Sequence, residues 1–273
     1  MKQDTICINS RGQHDRLTNG NQILGEMPSL DNSKIVFCGG SNNILFCEKN
    51  IKLVNSTLSF CGDNSIIYLG SNRYEYKLKV TAFNNVVFHM GRNNYINDTL
   101  NVVLSEEKHI FIGDNNFFSL GVWIRNADPH LIYASKSMSR INLTKSIFIG
   151  DHVWVGQNVM ILKGTQIGSG SIIGAMSVAA GKIIPSNTIW AGNPIKMVKS
   201  EVFWDGACVH QWTQEQTKKS IQYKDDEFIY PYDECDNLAF DTIDDKLTNQ
   251  TTESKLEYLM EIREKKKNRF ALR

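Results

Sequence analysis

No run of about eighteen apolar residues occurs anywhere in the 273-residue chain, so a membrane-crossing helix is not expected. The opening MKQDTICINSRGQHDRL lacks the apolar core of a secretory signal, which makes the cytoplasm the expected compartment. The six cysteines (Cys7, Cys38, Cys47, Cys61, Cys208 and Cys235) form no CxxC pair. A zinc ribbon or dithiol redox centre is therefore excluded, and buried free thiols are expected instead of disulfides. Nowhere is a basic run interleaved with stacking aromatics, which argues against a nucleic-acid partner. The formal net charge is only +1, but it is unevenly spread. Residues 1 to 200 carry 19 Lys and Arg against 13 Asp and Glu, whereas residues 201 to 273 carry 11 against 16. A mildly basic body suits an anionic ligand such as a nucleotide-bearing cofactor.

What the chain does have is a rhythm. From Ile147 to Pro194 it reads IFIGDH VWVGQN VMILKG TQIGSG SIIGAM SVAAGK IIPSNT IWAGNP, eight sixes without an insertion. The third position is Ile149, Val155, Ile161, Ile167, Ile173, Ala179, Pro185 and Ala191, and Gly follows it at 150, 156, 168, 174 and 192. A period of six matches neither the 3.6 of a helix nor a long amphipathic strand. It fits short strands joined by tight bends, each strand pointing one aliphatic side chain inward, with glycine where the backbone turns. Upstream, Gly40-Ser-Asn-Asn, Gly62-Asp-Asn-Ser, Gly70-Ser-Asn-Arg, Gly91-Arg-Asn-Asn and Gly113-Asp-Asn-Asn recur after mostly apolar residues. These read as looser coils whose asparagines suit left-handed turn positions.

The pattern resembles the hexapeptide-repeat acyltransferases. That resemblance implies a mainly β fold, a left-handed parallel β-helix shaped as a triangular prism with roughly three hexads per coil. The expected organisation is an N-terminal cap over residues 1–33, the β-helix over 34–199 and a C-terminal extension over 200–273. In the extension an acidic stretch from Asp225 to Asp245 precedes TESKLEYLMEIREKKKNRF, an amphipathic helix with Leu256, Leu259, Met260 and Ile262 on one face, expected to pack on the prism or on a neighbouring subunit.

Between Phe118 and Ser146 the rhythm is suspended, and a break of that length in a compact domain marks a functional loop. It contains DPHLIY and then SRIN, followed directly by IFIGDHVWVG. In that order these elements resemble the bacterial polysaccharide and polysialic-acid O-acetyltransferases of the hexapeptide family. By that resemblance His130 is the catalytic base and Trp154 stands beside it in the active site. Asp128 either orients the imidazole or caps the Pro-containing turn. The resemblance also assigns the downstream coils to acetyl-CoA. Small residues Gly174, Ala175, Ala179 and Ala180 would let the pantetheine arm lie along the coils. Lys196, after AGNP, would sit near the phosphates, with Lys163 and Lys182 as weaker candidates. The reaction implied is direct O-acetyl transfer to a hydroxyl of a bacterial surface polysaccharide, from a homotrimer with sites between neighbouring prisms.

Three alternatives stay open. A small sugar or nucleotide-sugar could be the acceptor. A non-catalytic sugar-binding solenoid would share the fold. Spacing of His89, His109, His130 and His152 by about one coil also invites comparison with the zinc-dependent γ-class carbonic anhydrases. Their registers relative to the inward aliphatics disagree, so convergence on a metal is not expected.

Overall fold

The computed structural model describes residues 5–10, 12–13, 17–234, 238–265 and 269–273. Short strands stack in parallel into three faces of about seven turns. The first face includes Leu78–Ala82, Leu100–Leu104, Trp123–Arg125, Met160–Leu162 and Val178–Ala180. The second includes Ile44–Cys47, Ile66–Leu69, Val87–Met90, Ile110–Ile112, Ile147–Ile149, Gln166–Ile167 and Ile183–Ile184. The third runs through Tyr95–Ile96, Phe117–Phe118, Trp154–Val155, Ile172–Ile173 and Ile189–Ala191.

The inward positions form one continuous apolar column. Ile149, Val155, Ile161, Ile167, Ile173 and Ala179 are all fully buried, as the repeat predicts. Each large aliphatic among them contributes about 1.5–3 kcal/mol by leaving water. Beyond Ala179 the strict six fails by one residue. Ile167 pairs in register with Ile184, and Ile173 with Trp190, so Ile184 and Trp190 take the inward places assigned from the repeat to Pro185 and Ala191. Ile183 is left 60% exposed. The left-handed turn at Gly181 (φ 59°) closes the corner with one residue fewer.

Two different constraints shape the corner between second and third faces. Asn93, Asn115, His152, Gly170 and Asn187 stack there with φ between 53° and 76°, the left-handed region that asparagine and glycine tolerate. The glycines two residues earlier have another reason. A Cβ on Gly113 would lie 2.7 Å from the carbonyl oxygen of Gly150 in the next coil, and one on Gly91 would lie 2.6 Å from that of Gly113. They are required by close stacking of coils, not by backbone bending. Buried asparagines complete the corner: Asn94 Nδ2 donates to the carbonyls of both Gly91 and Gly113 at 2.9 Å.

Among the described residues before 34, part of the segment already follows the coils. Gln22–Gly25 and Ser29–Asp31 already pair in parallel with the following coil, so the solenoid begins before residue 34. Ile6–Ile8 differs, closing the first face antiparallel to Lys34–Phe37. Of the cysteines, Cys47 alone is buried among the described residues; Cys7, Cys38 and Cys208 are exposed and Cys61 is half-buried. Cys235 lies outside the described residues.

The C-terminal extension covers the second face. Phe46, Tyr68, His89 and Phe111 stack along its outside, with centroids 4.8, 4.8 and 4.1 Å apart. Helices Phe240–Leu247 and Thr252–Ile262 lie over this ladder with Phe270. Leu256, Leu259 and Ile262 are buried as expected, whereas Met260 turns outward and is 37% exposed. Charged clamps fasten the cover. Arg269, nearly inaccessible, donates to Asp151 at 2.8 Å and lies 3.4 Å from Asp114. Arg263 of the cover lies 3.6 Å from Glu48, which the coils themselves fix by Arg92 on both oxygens at 2.7 and 2.9 Å, the Tyr68 hydroxyl at 2.8 Å and the Ser71 N–H at 3.0 Å.

Burial pushes the Glu48 carboxyl upward, but Arg92, Ser71 and Tyr68 outweigh it and hold the group down at about 2. Its contribution to stability is therefore complete above the ordinary carboxylate value of about 4.5 and is lost as pH falls towards 2. Thermal melts across that window should show Glu48→Gln less stable at neutral pH by about 2–3 kcal/mol and converging with the parent in acid. Gly113→Ala, forced against the next coil's carbonyl, is expected to cost about 1–3 kcal/mol in a denaturant titration at neutral pH.

Candidate active site

The polar loop opens where the chain passes from the first face to the second, after Trp123–Arg125 and before Ile147–Ile149. Hydrogen bonds between neighbouring coils join residues 22 apart above it and 18 apart below it, but 37 apart across it. The excess is a hairpin-like excursion held by backbone bonds from Ile141 N to Ile132 O and from Ala134 N to Ser139 O, each 2.9 Å.

Its root is fixed by side chains. Asn126, fully buried, accepts the Ser105 N–H at 2.9 Å and donates to Lys108 O at 2.8 Å. Asn142 brackets the histidine: its Nδ2 donates to His130 O at 2.7 Å and its Oδ1 accepts the Ile132 N–H at 2.9 Å. Arg140 forms a two-pronged pair with Glu106 at 2.8 and 2.9 Å, and the Thr144 hydroxyl also donates to Glu106. This geometry holds the His130 backbone while its ring projects outward, exposed, with no hydrogen-bond partner among the described residues. The SRIN segment thus has a structural role: its arginine and asparagine brace the loop. The sequence alone gives these residues no task, because their partners are Glu106 and His130 itself, which spacing does not connect.

No hydrogen bond or ion pair joins Asp128 to the His130 ring among the described residues. Its Oδ2 is 2.5 Å from Lys163 Nζ and 3.1 Å from Asn142 Nδ2. Lys163 holds this carboxyl below the usual carboxylate range against the opposing effect of burial, with a lesser contribution from Asn142. Lys163 also donates to Asn142 O at 3.0 Å, so it ties loop to coil in place of standing free for a phosphate. An open cleft of about 470 Å³ runs from Phe83 and Val103 past Arg125 to Asp128 and Pro129.

Trp154 stands on the third face, the one that the loop does not adjoin. Alternation between inward Val153 and Val155 sends its indole outward, 43% exposed, in register with Phe117 on one side and Ile172 on the other. No ring contact or hydrogen bond joins it to His130 among the described residues. Trp204, from the C-terminal extension, packs beside it at a centroid distance of 5.9 Å.

The small residues and lysines assigned to a cofactor fall into two groups. Gly174 and Ala175 lie at the corner after Ile172–Ile173, and Ala180 faces outward from Val178–Ala180, as a surface groove requires. Ala179 does not: it is the inward residue of its strand and is fully buried, so its methyl belongs to the core. Lys182 and Lys196 are exposed and form no ion pair among the described residues. Lys196 lies on Lys196–Lys199, which runs antiparallel to Ile189–Ala191.

The histidines occupy separate environments. His89 is buried in the aromatic ladder and burial pushes it down to about 3. His109 is similarly lowered to about 3 and accepts the Val87 N–H on Nδ1 at 3.1 Å. His152 is enclosed by Trp204 and Phe228. Among the described residues no three His, Cys, Asp or Glu side chains gather where an ion could be held.

Comparison with known proteins agrees with this architecture. Residues 146–181 match the family described as bacterial transferase hexapeptide (six repeats). A polysialic acid O-acetyltransferase of Neisseria meningitidis is 28% identical over 134 residues, covering 49% of this chain and 62% of the relative. A polysialic acid O-acetyltransferase of Escherichia coli O1:K1 / APEC is 39% identical over 102 residues, covering 37% of this chain and 33% of the relative. The chain thus spans less than two thirds of the length of either curated relative. The crystal structure of the polySia-specific acetyltransferase NeuO superimposes with a TM-score of 0.61 at 29% identity, covering 73% of this chain and 93% of that one. Repeat, coil geometry and relatives agree on a left-handed β-helix built of hexapeptide repeats, similar in sequence and fold to the polysialic acid O-acetyltransferases.

Proposed function

We propose that the protein transfers an acetyl group from acetyl-CoA to a hydroxyl of a bacterial surface polysaccharide, with His130 as general base. The observation that carries this reading is the presentation of His130. A polar loop is braced at its root by Asn142, Arg140 and Glu106, yet leaves one imidazole projecting with no hydrogen-bond partner among the described residues. Such a construction holds a reactive group in place for an external ligand. The similarity to polysialic acid O-acetyltransferases supplies the reaction class and favours a polymeric, anionic acceptor.

A sugar hydroxyl is a weak nucleophile near neutrality. Imidazole is the side chain whose ordinary proton affinity suits removing that proton as the oxygen attacks the thioester carbonyl. The tetrahedral adduct then collapses, the C–S bond breaks, and the imidazolium returns the proton to the departing thiolate. No acyl-enzyme is needed, because donor and acceptor meet directly. Asp128 acts through the loop: anchored by Lys163 and Asn142, it holds the turn that carries His130 and does not polarise the ring.

The donor groove fits the lower coils. Gly174, Ala175 and Ala180 leave the surface thin there, and Lys196 and Lys182 offer unpaired ammonium groups for phosphates. Trp154 is the natural wall for the acceptor. His130 leaves one prism at the edge between first and second faces, whereas Trp154 stands on the third, so the two meet when copies of the chain pack side by side. A closed three-fold ring would bring them together. Exposed apolar residues along that path, Trp123 and Met160 on the first face and Leu131, Ile132 and Ile141 on the loop, provide surface for such packing.

Thiol release from acetyl-CoA in the presence of oligo- and polysialic acid, and of other capsule or lipopolysaccharide fragments, tests the reaction. His130→Ala should lower kcat about a hundred- to ten-thousandfold with the fold intact; near-full transfer by that variant would remove His130 from the mechanism. Lys196→Ala is expected to raise KM for acetyl-CoA while kcat stays within a few-fold, measured under acceptor saturation. Arg140→Ala, which frees Glu106 and the root of the loop, should lower kcat/KM by about ten- to a hundredfold without shifting the thermal transition by more than a few degrees.

A further inference from the structure

The C-terminal extension does more than cover the second face. Between Val202 and Tyr230 it makes an excursion beside the third face, and both ends are fastened to one corner of the helix. Asn187 is the pin: its backbone carbonyl accepts the Val202 N–H at 3.0 Å, its Nδ2 donates to Val202 O at 3.0 Å and to Phe228 O at 2.8 Å, and its Oδ1 accepts the Tyr230 N–H at 2.7 Å. One coil before Asn187 in this column stands Gly170, and one before that His152. The His152 ring is sandwiched between Trp204 on one side and Phe228 on the other, each 4.1 Å away, with interplanar angles of 9° and 4°. Residues 205 to 227 between these anchors are exposed apart from a half-buried Trp212.

Trp204 itself is held in a single orientation. Its Nε1–H donates to His152 O at 2.9 Å, and its carbonyl oxygen lies 2.9 Å from His152 Nε2. Burial lowers the proton affinity of His152, which keeps the ring neutral and lets Nε2–H donate to that carbonyl. Only 7% of Trp204 remains exposed. The ring fills the notch between two rungs of the third face, 5.0 Å from Phe117 at 65° and 5.9 Å from Trp154 at 44°. Gly206 allows the chain to turn away at that point, since a Cβ there would lie 3.0 Å from the Phe117 ring.

We propose that Trp204 is the positioning residue for Trp154: the indole pinned on His152 blocks one side of Trp154 and fixes the orientation it presents to the acceptor. This rests on the reading of Trp154 as a wall of the acceptor site. Trp154 projects from a two-residue strand with an open face, and its cross-strand neighbours Phe117 and Ile172 hold its base without closing its flank. Trp204 closes that flank, and it does so from a segment whose geometry is set by the corner column. The donor groove begins one coil below, at Gly174 and Ala175 after the strand paired with Trp154, and among the described residues Trp204 makes no ring contact or hydrogen bond with it, so the effect falls on one substrate.

The test uses the full chain and two independent readouts. In steady-state kinetics Trp204→Ala should raise KM for the polysaccharide acceptor and lower kcat/KM for it about tenfold, leaving KM for acetyl-CoA within twofold. Trp204→Phe, which retains a ring on His152, should recover most of the loss. Equal kinetics in parent and Trp204→Ala, or parallel losses for both substrates that Trp204→Phe does not relieve, would overturn the proposal. In the substrate-free protein, two indoles this close should give an exciton couplet in circular dichroism that disappears in Trp154→Phe and in Trp204→Phe alike. Absence of the couplet in the parent would overturn the fixed pairing whatever the reaction is. A couplet in a parent that acetylates no glycan would retire the transferase reading while supporting the placement of Trp154.

Discussion

Close stacking of one coil on the next is the constraint from which the rest of this molecule follows. At the corner between second and third faces the backbones approach so nearly that Gly91 and Gly113 have no room for a Cβ. The residue two places on must adopt a left-handed conformation, met by Asn93, Asn115 and His152. Once those corners are fixed, every strand is brief, and every inward position lines up with the one above. The solenoid then has almost no concavity of its own. Chemistry must be carried by what departs from the stack: a loop at one edge, an outward indole on another face, and an extension wrapped around the outside.

That geometry explains how function and fold divide the sequence between them. The regular coils supply rigidity, through buried aliphatics inside and hydrogen-bonded asparagines at the corners. The break after Arg125 supplies the presented imidazole, and its bracing comes from both sides of the insertion, Glu106 in the preceding turn and Lys163 in the following one. The extension supplies cover for an aromatic ladder that would otherwise be exposed, and it uses charge pairs from Arg263 to Glu48 and from Arg269 to Asp151 to hold that cover in register. Charge pairs of this kind contribute orientation more than net stability, because each ion must be taken out of water.

Periodicity made the prism legible from sequence, since six-residue spacing has few other physical explanations. It also revealed the loop, as the place where the pattern lapsed. What periodicity could not show was the loss of one residue after Ala179, because IIPSNT keeps the count of six while Gly181 tightens the turn and moves Ile184 inward. Nor could it show that Ala179, small enough for a groove, faces the core. The partnership of Asp128 with Lys163 is equally hidden: neighbours in sequence suggest either the His130 ring or the Pro129 turn, whereas the cation comes from the coil below. His152 and Trp204 are 52 residues apart, and only the folded corner reveals that they share two hydrogen bonds.

The proposed function requires the imidazole of one chain to work beside the indole of another. Co-assembly of two impaired variants, His130→Ala and Trp154→Ala, after unfolding and refolding together addresses it most directly. If the site is shared across copies, random mixing restores about a quarter of the sites in a closed ring, and acetyl transfer reappears in the mixture. If the mixture remains as inactive as either variant alone, while the parent taken through the same refolding recovers its activity, each chain carries its own complete site and the account is contradicted.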